Sequence, residues 1–380
     1  MRYRRSSMLS LAALLIGSMA STSWAGAIAY DGSLAARGGA AAGNLTSANG
    51  AFTIPQSSGV TAGQNLFHSF NNFSLTSGET ALFTGANVNN VISRVTGGSP
   101  SSIDGTIRSA IPGANFYFLN PSGVMFGPNA SLDISGSFHV STADYLKLGD
   151  RDRFYVSTTP TSSFVSATPT AFGFLGNTPG WIRVEGSGSA AKEVEGIMGL
   201  KVLDGKTLSL IGGDITITSA QGANDIVFES RLQAPRGYIN LASMGGAGEV
   251  ILLDSTLESD MEQTGGVITA NGSNYAGIIS GKITVIGESI NMENFYLKSD
   301  FDGSFNLVPS ADGAGLILIL SPKGIDIKIN GDFYLKNSSI FGRLENSINN
   351  KKNIPADTQG GRISIAAKNW TEPTPNQEFF

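Results

Sequence analysis

Cysteine is absent from this 380-residue sequence, and histidine occurs only twice, as His68 and His139. Without cysteine, the chain has no disulfide framework, thiolate zinc site, iron–sulfur cluster or cysteine nucleophile. Neither histidine has an acidic residue and a second histidine at the spacing of a metal site. We therefore expect no metal and no cofactor.

Charged residues are also scarce. They make up 14% of the sequence, and 25 basic residues against 30 acidic ones leave a formal net charge of −5. This balance argues against a nucleic-acid partner. No basic run indicates a membrane-surface patch.

The amino terminus has the pattern of a secretory signal peptide. Arg2, Arg4 and Arg5 precede an apolar stretch over residues 8–19, and small residues follow at the end of this segment. A transmembrane helix is the alternative, but the apolar run is shorter than the roughly 20 residues needed to span a bilayer. We predict a signal peptide over residues 1–25, cleaved between Ala25 and Gly26, and hence export.

Helical periodicity is almost absent after the signal segment. Short runs of alternating apolar and polar residues replace it, bounded by Gly, Asn, Asp or Ser. They include residues 215–218, 238–241, 249–253, 282–286, 324–329 and 361–365. One short helix is expected around residues 190–196. The sequence therefore predicts an all-β fold.

A repeated phrase favours one all-β architecture over the others. A glycine, an alternating strand, a small polar turn and a second apolar run occur over residues 281–294 and again over 324–337. Such units are typical of a parallel β-helix, here with roughly 20 residues per rung. A sandwich or a propeller is the alternative, since the Asn-Gly pair Asn49-Gly50 also suits a hairpin. Hairpins give no reason for this phrase to repeat.

Composition divides the exported part of the chain into three regions. Residues 26–148 form a first block, and residues 149–180 are a loop-rich excursion with many Ser, Thr and Pro and no sustained alternation. Residues 181–380 are further β-helix rungs. We expect their carboxyl-terminal end to be either a polar cap or a truncation.

The first block carries the most specific motifs. Asn120-Pro121-Ser122-Gly123 lies between two apolar segments, and four phenylalanines precede it, Phe67, Phe70, Phe73 and Phe83. With the segment 103–107, these features resemble the secretion domain of the two-partner secretion family, the amino-terminal domain of filamentous-haemagglutinin-type exoproteins. The hallmark of that family is Asn-Pro-Asn-Gly, and Ser122 replaces its second asparagine with a residue that also suits a turn.

The resemblance implies a right-handed parallel β-helix of the pectin-lyase type with an amino-terminal cap. It also implies a non-enzymatic exoprotein of a Gram-negative bacterium. An outer-membrane transporter with POTRA domains and a barrel recognises such a protein in the periplasm and exports it to the cell surface or the medium. There the rungs present an adhesin-like surface to a ligand on a host or neighbouring cell.

Roles for the motif residues follow from the same resemblance and from their residue types. Asn120, Pro121, Ser122 and Gly123 are expected to form a β-helix corner and part of the secretion motif. The four phenylalanines are expected to pack in the cap and core. We expect the region 26–83 to be the cap and the folding nucleus.

A secreted polysaccharide-active β-helix enzyme, a lyase or glycosidase, is the alternative function. It needs carboxylates grouped with Arg or Lys on neighbouring rungs. Asp300, Asp302, Asp326 and Lys328 come nearest to this arrangement. Because no Gly-x-Ser-x-Gly elbow accompanies the two histidines, the sequence gives no catalytic residue for a serine hydrolase.

Overall fold

The computed structural model describes residues 27–176, 178–186, 200–221, 227–228, 230–253, 256–259, 266–271, 277–287, 289–293, 296–299, 325–329, 332–336, 363–366 and 369–370. The predicted signal peptide and the helix expected at 190–196 lie outside these residues. So do Asp300 and Asp302. Within the described part of the chain, no helix is long and apolar enough to cross a membrane.

Strands make up almost all the regular structure, with two short 3₁₀ turns at Ala35–Arg37 and Gln56–Ser58. In chain order the strands are β1 (Ala27–Tyr30), β2 (Gly43–Asn44), β3 (Ala51–Pro55), β4 (Val60–Ala62), β5 (Asn65–Ser74), β6 (Thr80–Thr84), β7 (Asn90–Val95), β8 (Ser101–Ile103), β9 (Thr106–Ser109), β10 (Asn115–Leu119), β11 (Val124–Phe126), β12 (Ser131–Asp133), β13 (Phe138–Ser141), β14 (Tyr145–Leu148), β15 (Asp152–Tyr155), β16 (Pro169–Phe174), β17 (Ile182–Glu185), β18 (Leu200–Lys201), β19 (Thr207–Gly212), β20 (Ile215–Thr218), β21 (Ala220–Gln221), β22 (Val227–Phe228), β23 (Arg231–Ser243), β24 (Gly248–Leu253), β25 (Thr256–Ser259), β26 (Val267–Asn271), β27 (Gly277–Gly287), β28 (Ser289–Glu293), β29 (Tyr296–Ser299), β30 (Ile325–Ile329), β31 (Asp332–Lys336), β32 (Ile363–Ala366) and β33 (Asn369–Trp370).

Three parallel sheets are visited in turn as the chain winds. Sheet 1 contains β5, β7, β10, β13, β19, β23, β27, β30 and β32, and sheet 2 contains β8, β11, β17, β20, β26, β28, β31 and β33. Sheet 3 contains β3, β6, β9 and β12. One turn runs β7, β8, β9, and the next runs β10, β11, β12 above it. The predicted parallel β-helix is confirmed.

Rung length differs from the expectation. Asn65, Asn90 and Asn115 are register partners in sheet 1 and lie 25 residues apart. The extra residues over the predicted 20 lie in the corners between the three sheets. The rungs that contain β7–β9 and β10–β12 therefore have three short strands and three corners each.

The interior consists of columns of apolar side chains along the rod. Register pairing aligns one residue from each successive strand of sheet 1 in a column. These are Leu66, Val91, Phe116, Phe138, Leu208, Ile239 and Ile283, all fully buried. Each rung thus buries its apolar side chains against the next, so stability comes from contacts between neighbouring rungs.

The amino-terminal edge of sheet 1 is occupied by antiparallel strands. β1 pairs with β5, β2 pairs with β1, and β4 pairs with the first half of β5. An open strand edge is a template for pairing with another chain. These strands occupy that edge and end the parallel arrangement there.

A five-stranded antiparallel sheet, in the order β15, β14, β16, β24, β25, covers the outer face of sheet 1. The excursion expected to be loop-rich thus contributes two strands, β15 and β16, to this cover sheet. Phe154 and Phe172 pack there against outward-facing Phe67 and Tyr117 of sheet 1. Strands β7, β13 and β19 of sheet 1 are buried on both faces, as is typical of parallel sheets.

Candidate functional site

The Asn-Pro-Ser-Gly segment forms a tight β-turn. The Gly123 N–H donates to the Asn120 carbonyl and the Ser122 N–H to Asn120 Oδ1, each at 3.0 Å. Asn120 Nδ2 donates to the Ser99 carbonyl and to Ser101 Oγ, also at 3.0 Å. The buried Asn120 side chain thereby fixes the turn to the preceding rung.

The next rung holds the other side of the turn. Gly123 has a φ of +120°, which favours glycine, and a Cβ there would lie 3.2 Å from Cε2 of Trp181. A Cβ at Gly180 would lie 2.2 Å from the Pro121 carbonyl oxygen. The Val124 N–H donates to the Trp181 carbonyl at 3.0 Å. The turn therefore packs tightly between two rungs.

The solvent-facing part of this region is a small mixed surface. Pro121, Ser122 and Trp181 are half-buried, and Arg183 is exposed. The Arg183 guanidinium carbon lies 4.6 Å from the centroid of the Trp181 ring, a cation–π contact. We call these four residues the turn patch. It offers a partner an aromatic surface, a hydroxyl group and a positive charge.

The phenylalanines singled out in the sequence are divided between two cores. Phe70, Phe73 and Phe83 are buried in the interior of the β-helix. The ring centroids of Phe70 and Phe73 lie 5.1 Å apart. Phe67 is on the opposite face of β5, where its ring lies 4.8 Å from that of Phe154 in the cover sheet. These residues pack at the first rungs, and the Asn-Pro-Ser-Gly turn belongs to a later rung.

A buried charged cluster that the sequence analysis missed joins the first rungs to the cover sheet. Arg94 is 3% exposed and donates from Nε to Ser69 Oγ at 2.7 Å and from one terminal nitrogen to the Tyr155 carbonyl at 2.5 Å. Its other terminal nitrogen donates to Ser33 Oγ at 2.9 Å. Burial lowers the pKa of Arg94, an effect that nearby Asp31 opposes. Arginine nevertheless stays charged in proteins.

Asp31 provides the negative charge of this cluster. Its carboxylate accepts hydrogen bonds from the hydroxyl groups of Ser69 and Thr96, at 2.6 and 2.9 Å, and from Ser33. Burial acts to raise the pKa of Asp31, but these hydrogen bonds outweigh it and lower the pKa. Serine hydroxyls thus link the carboxylate to Arg94 without a direct ion pair.

An asparagine ladder runs along one margin of sheet 1. Asn115 Nδ2 donates to Asn90 Oδ1 at 3.4 Å, and Asn90 Nδ2 donates to Asn65 Oδ1 at 2.8 Å. Asn65 Nδ2 then donates to the carbonyls of Val165 and Ala167, each at 2.8 Å. The 25-residue spacing of the three asparagines is the sequence signal that could have revealed this ladder.

The two histidines lie on different faces of sheet 1. His68 faces the interior, with its ring centroid 5.5 Å from that of Phe83, and its Nε2 has no hydrogen-bond partner. His139 faces outward, stacks on Tyr117 and has Nδ1 2.9 Å from Ser209 Oγ. Burial lowers their pKa values to about 3 and about 4 respectively, so both are neutral near pH 7.

The strongest grouping of charged side chains outside the Arg94 cluster surrounds Glu249 in the cover sheet. Its carboxylate accepts hydrogen bonds from Tyr145 and Lys147, each at 2.7 Å, and Arg153 lies 3.5 Å away. Burial acts to raise the pKa of Glu249, but the lysine and tyrosine hydrogen bonds lower it overall. Burial and the bond to Glu249 raise the pKa of Tyr145. A carboxylate stabilised in its ionised form in this way is a poor general base.

Of the residues named for the enzyme alternative, Asp300 and Asp302 lie outside the described residues. Asp326 and Lys328 lie two positions apart on β30. Among the residues that the structure describes, no group of three or more histidine or acidic side chains is placed to hold a metal ion.

Comparison with known proteins places the chain in a family. The family model described as "TPS secretion domain" matches residues 27–293. The fold is similar to a structure described as the HMW1 secretion domain from Haemophilus influenzae, at 13% identity, 78% coverage of this chain, 80% coverage of that chain and a TM-score of 0.38. No protein of curated function matches.

The family match spans the Asn-Pro-Ser-Gly turn, the cover sheet and the rungs as far as β28. Domains of this kind occur in secreted exoproteins of Gram-negative bacteria, each with a partner transporter in the outer membrane. They are secretion domains and do not form an enzyme family. This chain therefore belongs to the TPS secretion domain family and is an exoprotein of a two-partner secretion system.

Proposed function

We propose that the partner transporter recognises the turn patch while the chain is in the periplasm, before it crosses the outer membrane. The observation that carries this proposal is the rigidity of the turn. Asn120 fixes it from one rung, and the Trp181 ring packs against Gly123 from the other. A surface held on both sides needs little ordering when a partner binds, which favours affinity.

We further propose how the chain is organised for export. Residues 1–25 act as a signal peptide, removed between Ala25 and Gly26, and the periplasmic POTRA domains of the transporter bind the turn patch before the barrel exports the chain. The first block at 26–148 is the amino-terminal part of the secretion domain, which continues through the excursion at 149–180 into the rungs that follow. The family match over residues 27–293 supports an extent beyond the first block.

A secretion assay tests recognition of the turn patch. The chain is expressed together with its transporter, and the fraction in the medium or on the surface is compared with the periplasmic fraction. Arg183→Glu reverses the exposed charge of the patch, and we expect a loss of export of about fivefold or more, which corresponds to a binding cost of about 1 kcal/mol for an interface residue that contributes to affinity. Arg108→Glu is the matched control, because Arg108 is an exposed arginine on sheet 3.

Folding of both variants is checked by circular dichroism of the purified proteins. Equal export of the two variants would overturn the proposed role of the patch. If Arg183→Glu loses both export and its β spectrum, Ser122→Glu is used in its place. That variant alters the patch without removing the cation–π contact. Normal export of a folded Ser122→Glu variant would likewise contradict recognition.

We also propose that the outer face of sheet 2 is the adhesin-like surface. Register pairing aligns Met125, Arg183, Thr216 and Thr269 along it, and their side chains are half-exposed or exposed. In contrast, the outer face of sheet 1 is buried by the cover sheet. Binding of purified protein to host or neighbouring cells, compared with a Thr216→Arg variant, tests this. Equal binding of the two proteins argues for a different surface.

A further inference from the structure

Residues 156–167 cross the first rungs after leaving β15 and before entering β16. Most of this segment is exposed or half-exposed, and it contains no strand or helix. Within it, the Thr159 N–H donates to Ser157 Oγ at 3.3 Å. Two further bonds run back to β15, from the Ser163 N–H to the Arg153 carbonyl at 2.9 Å and from Ser162 Oγ to the Tyr155 carbonyl at 3.2 Å. We call this segment the strap, and its position depends on contacts with other parts of the chain.

An aromatic residue provides the apolar anchor of the strap. The Phe164 ring centroid lies 5.2 Å from that of Phe67 on the first rung and 5.7 Å from that of Phe154. The Arg37 guanidinium carbon lies 4.5 Å from the same Phe164 ring. One strap side chain thus touches the cap, the first rung and the cover sheet.

Polar anchors connect the strap to residues 68 to 102 positions earlier in the chain. Asn65 Nδ2 donates to the carbonyls of Val165 and Ala167, and Arg94 donates to Ser162 Oγ at 3.1 Å. Asn65 is oriented by Asn90 through the asparagine ladder. The groups that hold the strap are therefore in position only when the first rungs have assembled.

The closest approach between the strap and the cap is at a glycine. Gly63 has a φ of +57°, and a Cβ there would lie 2.1 Å from Ser166 Oγ. Ser166 Oγ also accepts a hydrogen bond from the Gln64 N–H at 3.4 Å. The strap thus fits against backbone that has no side chain.

We propose that the strap closes only on the assembled cap and first rungs, and that it opens as a unit while the rungs stay folded. Segments with few buried apolar contacts and exposed backbone open locally at a smaller free-energy cost than the strands of a core. Only Val156, at the start of the strap, is fully buried, and Phe164, Val165 and Ala167 are half-buried where they pack on the outer core. Each neighbouring strand of sheet 1 is buried along most of its length. In folding, the strap therefore closes after the first rungs have formed.

Native-state proteolysis of the purified full chain tests this. Chymotrypsin cleaves after aromatic residues, and Phe164 lies in the strap, so cleavage there measures opening. In the wild type we expect cleavage after Phe164 at urea concentrations where the circular dichroism spectrum is unchanged. The nicked protein should keep its β spectrum, because the rungs stay paired.

A matched set of glycine variants tests the docking contact. Gly63→Ala introduces both a left-handed alanine and the clash with Ser166, and we expect cleavage after Phe164 at least about tenfold faster, from the usual cost of overpacking. Gly38→Ala also places an alanine in the left-handed region, at φ +87°, but its Cβ would have nothing within 4 Å. The double variant Gly63→Ala/Ser166→Gly should return to the rate of Gly38→Ala.

Two results would overturn the proposal. One is cleavage after Phe164 in the wild type only under conditions that unfold the rungs. The other is equal acceleration by Gly63→Ala and Gly38→Ala. If Gly63→Ala does not fold, Asn65→Asp takes its place, because it removes the donors to the strap carbonyls while keeping the side-chain shape. Unchanged cleavage in a folded Asn65→Asp variant would contradict the anchoring role.

Discussion

Burial of both histidines as neutral imidazoles predicts a steep loss of stability in mild acid. Burial lowers the pKa of His68 to about 3 and that of His139 to about 4, from an ordinary value of 6.5. Such a histidine stays neutral in the folded chain but takes up a proton on unfolding below pH 6.5. Its stabilising contribution is therefore complete above pH 6.5 and is lost as the pH falls toward the folded pKa.

The size of the effect follows from these values. One pKa unit corresponds to about 1.36 kcal/mol, and pH 5 lies about 1.5 units below the unfolded pKa, so each histidine lowers the free energy of unfolding by about 2 kcal/mol. The two together give about 4 kcal/mol between pH 7 and pH 5. Carboxylates contribute little in this interval, because they are largely ionised in both states above pH 5.

Urea unfolding followed by circular dichroism at pH 7 and pH 5 measures this difference. The difference in the free energy of unfolding between pH 7 and pH 5 should fall to about 2 kcal/mol in His68→Phe and in His139→Phe, and should be close to zero in the double variant. Each variant is compared with itself at the two pH values, so the packing cost of the substitution cancels. A pH difference that neither substitution reduces would refute burial of the neutral histidines as its cause.

Three further predictions concern packing and hydrogen bonding, each measured by urea unfolding at pH 7. Gly173→Ala places a Cβ 1.9 Å from the ring of Tyr145 and should lower the free energy of unfolding by about 1–3 kcal/mol, whereas Gly176→Ala, with nothing within 4 Å, should change it by less than about 0.5 kcal/mol. Asn90→Leu interrupts the asparagine ladder and should cost about 1–3 kcal/mol, and a neutral result would mean that the ladder contributes nothing. Arg108→Gln removes the ion pair with Asp133, in which both side chains are more than half exposed, and should lower the free energy of unfolding by less than about 1 kcal/mol. A larger loss would show that this exposed pair contributes more to stability than its exposure predicts.

The sequence was most informative where strands have one buried and one exposed face. Residues 215–218 were predicted as a strand and form β20, and the run at 324–329 contains β30 at Ile325–Ile329. In β20 the alternation matches the burial, because Ile215 and Ile217 are buried while Thr216 and Thr218 are half-buried. β7 is buried at all six positions, and its outer face carries Arg94 of the buried charged cluster, so its sequence shows no regular alternation.

The cover sheet was missed for a related reason. β16 begins at Pro169 and contains Gly173, two residues that weaken a strand pattern. Gly173 is nevertheless needed, because the Tyr145 ring lies over its backbone. The strand is specified by its tertiary partners, which the local sequence does not show.

The candidate site was predictable in part. The Asn-Pro-Ser-Gly residues carry a turn signal of their own, so the sequence predicts a turn at this position. Trp181 and Arg183 complete the turn patch from the next rung, after the whole cover-sheet excursion. Their position beside the turn depends on register, and a long insertion within a rung hides that register from inspection of the sequence.

The antiparallel strands at the amino-terminal edge make that end of the rod less tolerant of an inserted or deleted turn than the rungs that follow. A duplicated or deleted turn of 25 residues preserves the columns of core side chains, since Asn65, Asn90 and Asn115 keep the same register across that interval. At the β1 end such a change would separate the closing strands from the edge they occupy. We therefore expect insertion or deletion of a whole turn to be tolerated away from β1 and to destabilise the chain at the β1 end.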